Sequence, residues 1–358
     1  MNRKDPLIWI IPLMLSALGI VVILSLTSVR LSDGSLSFSL GKKQAQWMFF
    51  AWTVMIVGSA IPLSFWRNRS GIFLGISWFL VWLPLIPGLG VGGGGSLRWL
   101  KIGPITIQPL ELLAFFLVIH LCGVYGRGEL KPFRAFILSL LLVGVLSVPV
   151  LLQPDLGGTL LLFFLAMGMY VGAYGFLLPL SAAVLLSPLF VFFAQRGYRQ
   201  RRIVAWIDPW SDPADAGYQA IQGFVAFANG GLWGTGLGRA IQRSRFLPAA
   251  HTDFIFAALS ETLGIWGSIG VLSLFLLWFL RIYIHFRRCD DRWICLVLWG
   301  LSLSVAVPLS INVAGITNLI PMTGMPLPFV SYGGSALVVA WLKTGLIIRA
   351  VREMGDSL

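Results

Sequence analysis

The sequence predicts an all-α polytopic membrane protein, and three observations predict it. Hydrophobic residues make up 57% of the 358 residues and charged residues only 11%, with a mean hydropathy of +0.86. Soluble domains are about half apolar and about a quarter charged. The apolar residues fall in runs of about 20, the length at which a helix rising about 1.5 Å per residue crosses about 30 Å of hydrocarbon. The basic residues gather in alternate connections between those runs, where they set topology. The formal net charge of +12 is therefore a membrane signal, and no nucleic-acid partner is expected.

The first run, 7–29, holds 23 residues without a charge. It is longer than a signal-peptide core and lacks a small-residue cleavage site, so it is expected to be a retained span. Further spans are expected at 46–66, 71–88, 106–125 and 135–153. The run Leu156 to Gln195 is about 60 Å long as a helix, too much for one crossing. Tyr174-Gly175 and Pro179 divide it into 156–174 and 176–195. After a polar stretch at 196–253 come spans at 255–280, 293–312 and 334–350. The expectation is one domain over 1–358 with ten helices and a large loop before the eighth. An even count puts both termini on one side. That side carries thirteen of the 26 Lys and Arg residues against five in the short loops opposite, so both termini are expected in the cytoplasm. Cys122, Cys289 and Cys295 have no zinc-binding or disulfide spacing.

This topology gathers four polar segments on the outer face: Gly92–Gln108, Gln153–Thr159, the loop 196–253 and Asn312–Ser335. The loop carries arginines, among them Arg199 and Arg202, whose planar guanidinium groups suit either a phosphate or anionic lipid headgroups. Glycines at 230, 231, 234, 236 and 238 match no phosphate-loop spacing and read better as turn residues. Asp253 directly precedes an apolar span. Partial desolvation there would raise its pKa toward a general base's range, while Thr252 and Asp253 are also good helix caps. Glu111, Glu261 and Lys343 fall within spans, where a charge is costly and either serves a site or pairs with another charge.

Read together, these segments are identified with a known family. The series Arg98-Trp99, Gln108-Pro109 with Glu111, Gln153-Pro154-Asp155-Leu156-Gly157, Trp206 with Asp208-Pro209, Gly217-Tyr218-Gln219, Leu247-Pro248 with His251-Thr252-Asp253-Phe254, and Pro321 to Ser335 closely resembles the FtsW/RodA/SpoVE family, the SEDS proteins. The match runs in family order over nearly the whole chain. It implies a peptidoglycan glycosyltransferase that polymerises lipid II at the outer face of the bacterial cytoplasmic membrane, in division or elongation, together with a class B penicillin-binding protein. A lipid II flippase and a non-catalytic scaffold are the competing readings. By motif, Asp253 is the expected catalytic residue. Arg98, Trp99, Arg199, Arg202, Glu111 and Glu261 are the expected substrate-side residues, and a divalent cation (Mg2+ or Mn2+) is an optional bridge on the pyrophosphate.

The chain departs from the family pattern in three places. Leu110 and Ala114 stand where the family has Ser or Ala and a Lys, and Glu261 is followed by Thr262 where a second acid is common. Lys343 occupies a usually apolar position, and one expectation is that it supplies the charge missing at Ala114.

Overall fold

The computed structural model describes residues 5–27, 29–30, 36–92, 97–103, 105–194, 203, 206–215, 217–238 and 250–356. Arg199, Arg202, Leu247 and Pro248 lie outside the described residues. The helices are α1 (Leu7–Thr27), α2 (Ser39–Ala60), α3 (Leu63–Trp82), α4 (Pro109–Gly126), α5 (Pro132–Leu152), α6 (Leu156–Tyr174) and α7 (Leu177–Ala194), then α8 (Tyr218–Gly230), α9 (Ile255–Phe286), α10 (Arg292–Ile316) and α11 (Gly334–Asp356). Two short antiparallel ribbons join them: β1 (Val29–Arg30) with β2 (Leu36–Ser37), and β3 (Gly90–Val91), β4 (Trp99–Ile102) and β5 (Ile105–Ile107) in the order β3-β4-β5.

Among the described residues, seven helices are individually long and apolar enough to cross a bilayer: α1, α4, α5, α6, α9, α10 and α11 up to Met354. Helices α2 and α3 meet that test only as a joined pair, bent by 113°. The expected ten segments each contain a helix, but a count of ten crossings does not follow from it. Several boundaries also move. The break between the second and third segments falls at Ile61-Pro62, because Pro62 is extended (φ −64°, ψ 145°) and starts α3. Arg67 and Arg69 therefore lie on a helix and not in a loop, covering the Trp293 and Phe65 rings at 5.5 and 4.4 Å. The loop 196–253 contains an amphipathic helix, α8, and the segment Gly92–Gln108 ends in a hairpin.

In an apolar solvent helices gain little from burying more apolar surface, so close approach through small residues decides their packing. The α2–α11 contact shows this. A Cβ at Gly345 would stand 2.4 Å from the Met55 carbonyl oxygen, and one at Gly334 would stand 2.2 Å from the Trp47 ring. Helix α4 lies at the centre, with Leu113, Phe115, Leu117 and Val118 fully buried against α3, α6, α10 and α11.

Both ends of the bundle are pinned by polar contacts. At the end holding the termini, the Asp5 carboxylate takes Arg281 Nε and Nη2 at 3.0 and 2.7 Å and lies 3.0 Å from His285 Nε2. Burial alone would raise the pKa of Asp5, but His285, Arg281 and the Leu7 N–H together hold it below the ordinary carboxylate value. Trp278 Nε1 donates to the Ile8 carbonyl nearby (2.9 Å), fastening α1 to α9. At the opposite end Gln153 Nε2 donates to the Val81 carbonyl, and the Gln108 N–H donates to Ser335 Oγ (3.2 Å).

The α2–α11 contact yields a paired test. Gly345→Ala should lower the melting temperature of the detergent-purified protein, by about 1–3 kcal/mol of stability. Gly270→Ala, where an added Cβ meets nothing within 4 Å, should leave it unchanged or slightly raised.

Candidate active site

The site is built at the end of the bundle away from the termini, around the five residues before α9. Helix α9 starts at Ile255 with Phe254 as its N-cap and no side chain capping it. The capping role that local sequence allows for Asp253 is therefore not used, because the helix begins one residue later than that reading needs. Asp253 is half-buried, with its carboxylate next to Gly324; a Cβ on that glycine, whose φ is +75°, would stand 3.3 Å from Asp253 Oδ2. The absence of a side chain at Gly324 is what leaves room for the acid.

Three consecutive carbonyls hold the backbone there. The Tyr332 N–H donates to His251 O (2.8 Å), Ser331 Oγ to Thr252 O (2.7 Å), and Asn312 Nδ2 to Asp253 O (2.8 Å). Asn312 Nδ2 also donates to Met325 O at 2.6 Å, and the Leu327 N–H donates to Ser331 Oγ at 2.7 Å. The segment before α9 is thus strapped to α10 and to the turn before α11. His251 packs edge-on to Tyr332 with ring centroids 5.6 Å apart, and burial pushes its imidazole below the ordinary value, which keeps it neutral near pH 7.

Arg98 belongs to the same end. Its Nη2 donates to the Pro154 carbonyl at 3.0 Å, and its Nη1 lies 3.5 Å from Asp155 Oδ1. Asp155 is 5% exposed and caps α6 by accepting from the Gly158 N–H at 3.0 Å. Behind that cap, a Cβ on Gly157 would stand 2.9 Å from the Thr323 carbonyl, one residue before Gly324. A continuous run of contacts therefore leads from Arg98 through Asp155, Gly157 and Thr323 to the Asp253 carboxylate. Trp99, on β4 opposite Val91, is half-buried beside Arg98.

The other expected site residues are placed differently. Glu261 is 0% exposed beneath α8, where Asn229 Nδ2 reaches its Oε1 at 3.3 Å. Its position is that of a tie between α8 and α9. Just beyond it α9 breaks at Gly264 (φ 71°, ψ −170°). The carbonyls released by the break are taken up by the Thr235 N–H on Glu261 O (2.9 Å) and the Gly236 N–H on Thr262 O (3.0 Å). The glycine-rich stretch is therefore committed to α9, and those N–H groups do not form an anion cradle. Trp206 and Asn318 exchange reciprocal side-chain-to-carbonyl bonds at 2.9 Å, and Asp208 caps the turn Pro209–Ser211. Glu111, in the first turn of α4, and Lys343, on α11, attract one another electrostatically. Lys343 is 5% exposed and its Nζ donates to the Ser304 carbonyl at 3.0 Å. Among the described residues no three His, Cys, Asp or Glu side chains gather as a metal site.

A family model described as cell cycle protein, FtsW/RodA/SpoVE, matches residues 5–355. The chain belongs to the FtsW/RodA/SpoVE family. It is 32% identical to the probable peptidoglycan glycosyltransferase FtsW of Saccharophagus degradans, covering 94% of this chain and 91% of that protein. It is 36% identical to the protein of the same name from Nitrosococcus halophilus, over 82% and 78% of the two chains. The fold matches that of the rod shape determining protein RodA of Thermus thermophilus (TM-score 0.68, 22% identity, 98% and 97% covered). It also matches a chain from a structure of a peptidoglycan synthase complex that coordinates polymerization and crosslinking (TM-score 0.78, 24% identity, 99% of each chain). The FtsW/RodA/SpoVE sequence pattern named Arg98 and Asp253. It contained Asp155 and Ser331 within its motifs without revealing their roles, and the only signal for Asn312 was its place at the start of a polar segment between apolar runs.

Two tests follow from these placements. Asp155→Ala should destabilise the protein by about 1–2 kcal/mol through loss of the α6 cap. Asp155→Asn, which still caps, should cost less than about 1 kcal/mol, and thermal melts of the two variants decide between these outcomes. For buried Lys343 and partly buried Glu111, Lys343→Met should cost about 3 kcal/mol, and Glu111→Gln combined with it should recover most of that loss. A Lys343→Met protein that melts and polymerises like the unmutated one rules out both the electrostatic attraction to Glu111 as a stabilising contact and the idea that Lys343 replaces the charge missing at Ala114.

Proposed function

We propose that this protein is a peptidoglycan glycosyltransferase that polymerises lipid II, with Asp253 as general base. The observation that carries the reading is the backbone of 251–253 strapped by three hydrogen bonds just ahead of α9, with the Asp253 carboxylate beside Gly324. A base needs a fixed position within reach of the proton it takes. Similarity to probable peptidoglycan glycosyltransferases supplies the reaction class.

In this reading Asp253 accepts the proton of the 4-hydroxyl of an acceptor lipid II. The hydroxyl oxygen bonds to the anomeric carbon of the growing strand, and the bond from that carbon to the lipid pyrophosphate breaks. The pyrophosphate leaves with the bonding electrons, and the anomeric centre inverts. Arg98 stands at the same end and is the proposed cation for the leaving group; Arg199 and Arg202, which the family resemblance offers for the same role, lie outside the described residues. Trp99 offers a ring face to a sugar. The described residues form no cage for a divalent cation. An Mg2+ or Mn2+ bound with the substrate would be held by fewer than three His, Cys, Asp or Glu side chains from the described residues, and would supply charge neutralisation to the pyrophosphate.

The basic-residue distribution supports an orientation with both termini in the cytoplasm and Asp253 outside, in the bacterial cytoplasmic membrane. A class B penicillin-binding protein is the proposed partner, supported by the synthase complex whose chain shares this fold.

The test is polymerisation of purified lipid II by the detergent-solubilised protein with its cognate partner and no other polymerase. Asp253→Asn should lower turnover by about 10²–10⁴ with the melting temperature kept. Full activity in that variant removes the general base, and no glycan from the unmutated protein favours the flippase or the scaffold.

A further inference from the structure

We infer that Gln44, on α2, is a positioning residue for Asp253. Gln44 is 2% exposed in the middle of the packed end of the bundle. Its Nε2 donates to the Ser331 carbonyl at 3.1 Å, and its Oε1 accepts from the Gly333 N–H at 3.3 Å. A primary amide presents a donor and an acceptor side by side, as a peptide strand does, so Gln44 completes the backbone of the turn 331–333 from a neighbouring helix.

That turn supplies two of the three bonds on the segment before α9. Ser331 gives its hydroxyl to Thr252 O and Tyr332 gives its N–H to His251 O, and both residues sit in the stretch that Gln44 clamps. If the turn rotates, the His251 and Thr252 carbonyls lose their donors together, and only Asn312 still holds Asp253 O. Gln44 never touches the acid. Its effect passes through Ser331 and Tyr332 to the backbone on either side of the Asp253 Cα.

The chemistry of the residue points the same way. A methionine would fill this buried space at similar volume, whereas a buried amide is costly unless both of its polar atoms are paired. Among the described residues, both of those atoms are spent on the one turn. A helix-packing role needs no such pairing; a role in fixing the turn does.

This inference rests on the polymerase reading, and its experiment separates the two. Gln44→Met should lower kcat by about 10²-fold, the cost of a small misplacement of a catalytic group. KM should stay within about twofold, since no substrate contact is lost. Ser331→Ala should show the same split, and Ser331→Thr, which keeps the hydroxyl, should restore most of the rate. Hydrogen–deuterium exchange should show peptides covering 250–254 and 327–333 exchanging about tenfold faster in Gln44→Met, with the rest of the bundle unchanged. If Gln44→Met does not fold, Gln44→Asn, with the same amide on a shorter stem, should give the same split and the same local exchange. Wild-type kcat, or unchanged exchange in both peptides, overturns the inference. If the unmutated protein makes no glycan, the polymerase reading falls, and the exchange result still decides whether Gln44 holds the segment.

Discussion

Three neighbouring carbonyls, those of His251, Thr252 and Asp253, lie ahead of α9, and the geometry of the proposed active site depends on where they find donors. A buried carbonyl left without one costs about 1–3 kcal/mol, and α9 cannot satisfy these because it starts only at Ile255. Tyr332, Ser331 and Asn312 supply the donors from two other parts of the chain. The same bonds that make the end of the bundle affordable to bury also fix the acid in one place. Stability and catalytic geometry are therefore the same set of contacts here.

The broken helix follows the same constraint. Gly264 interrupts α9 and frees carbonyls at Glu261 and Thr262 that no lipid could satisfy, so Thr235 and Gly236 fold back to donate to them. Glycines are needed on that returning strand because its backbone runs against α9: a Cβ at Gly234 would stand 2.3 Å from the Thr262 carbonyl. Glu261 is enclosed as a result. The bundle can thus carry an irregular N-terminal part of α9, ahead of which Asp253 stands, without leaving these backbone groups unpaired.

The helical bundle, its approximate segments and the clustering of polar residues at one end were legible from apolar run length and charge placement. Boundaries were less so, and the reason is visible at Arg67 and Arg69. Charges between apolar runs read as a loop, but a helix can carry arginines in its first turns when aromatic rings such as Phe65 and Trp293 lie against them. Helix α8 was hidden because its small buried face of Ala220, Gly223 and Ala226 does not read as an apolar run. Arg98 and Asp253 were found through the family pattern. The roles of Asn312, Ser331 and Gln44 were not, since a polar side chain's importance depends on which distant carbonyl it meets.

Composition and periodicity by themselves determined that this chain is a multi-pass helical protein with a polar, acid-bearing end, because the free energy of placing apolar and charged groups in hydrocarbon is additive along the sequence. Which carbonyl pairs with which donor is not additive. Gln44 and Ser331 are 287 residues apart, and only packing α2 against α11 brings them together. The tertiary structure alone therefore decided that Asp253 is not a helix cap, that Glu261 is enclosed, and that Lys343 donates to the Ser304 carbonyl. Each of these turns on a distance between segments that no local pattern encodes.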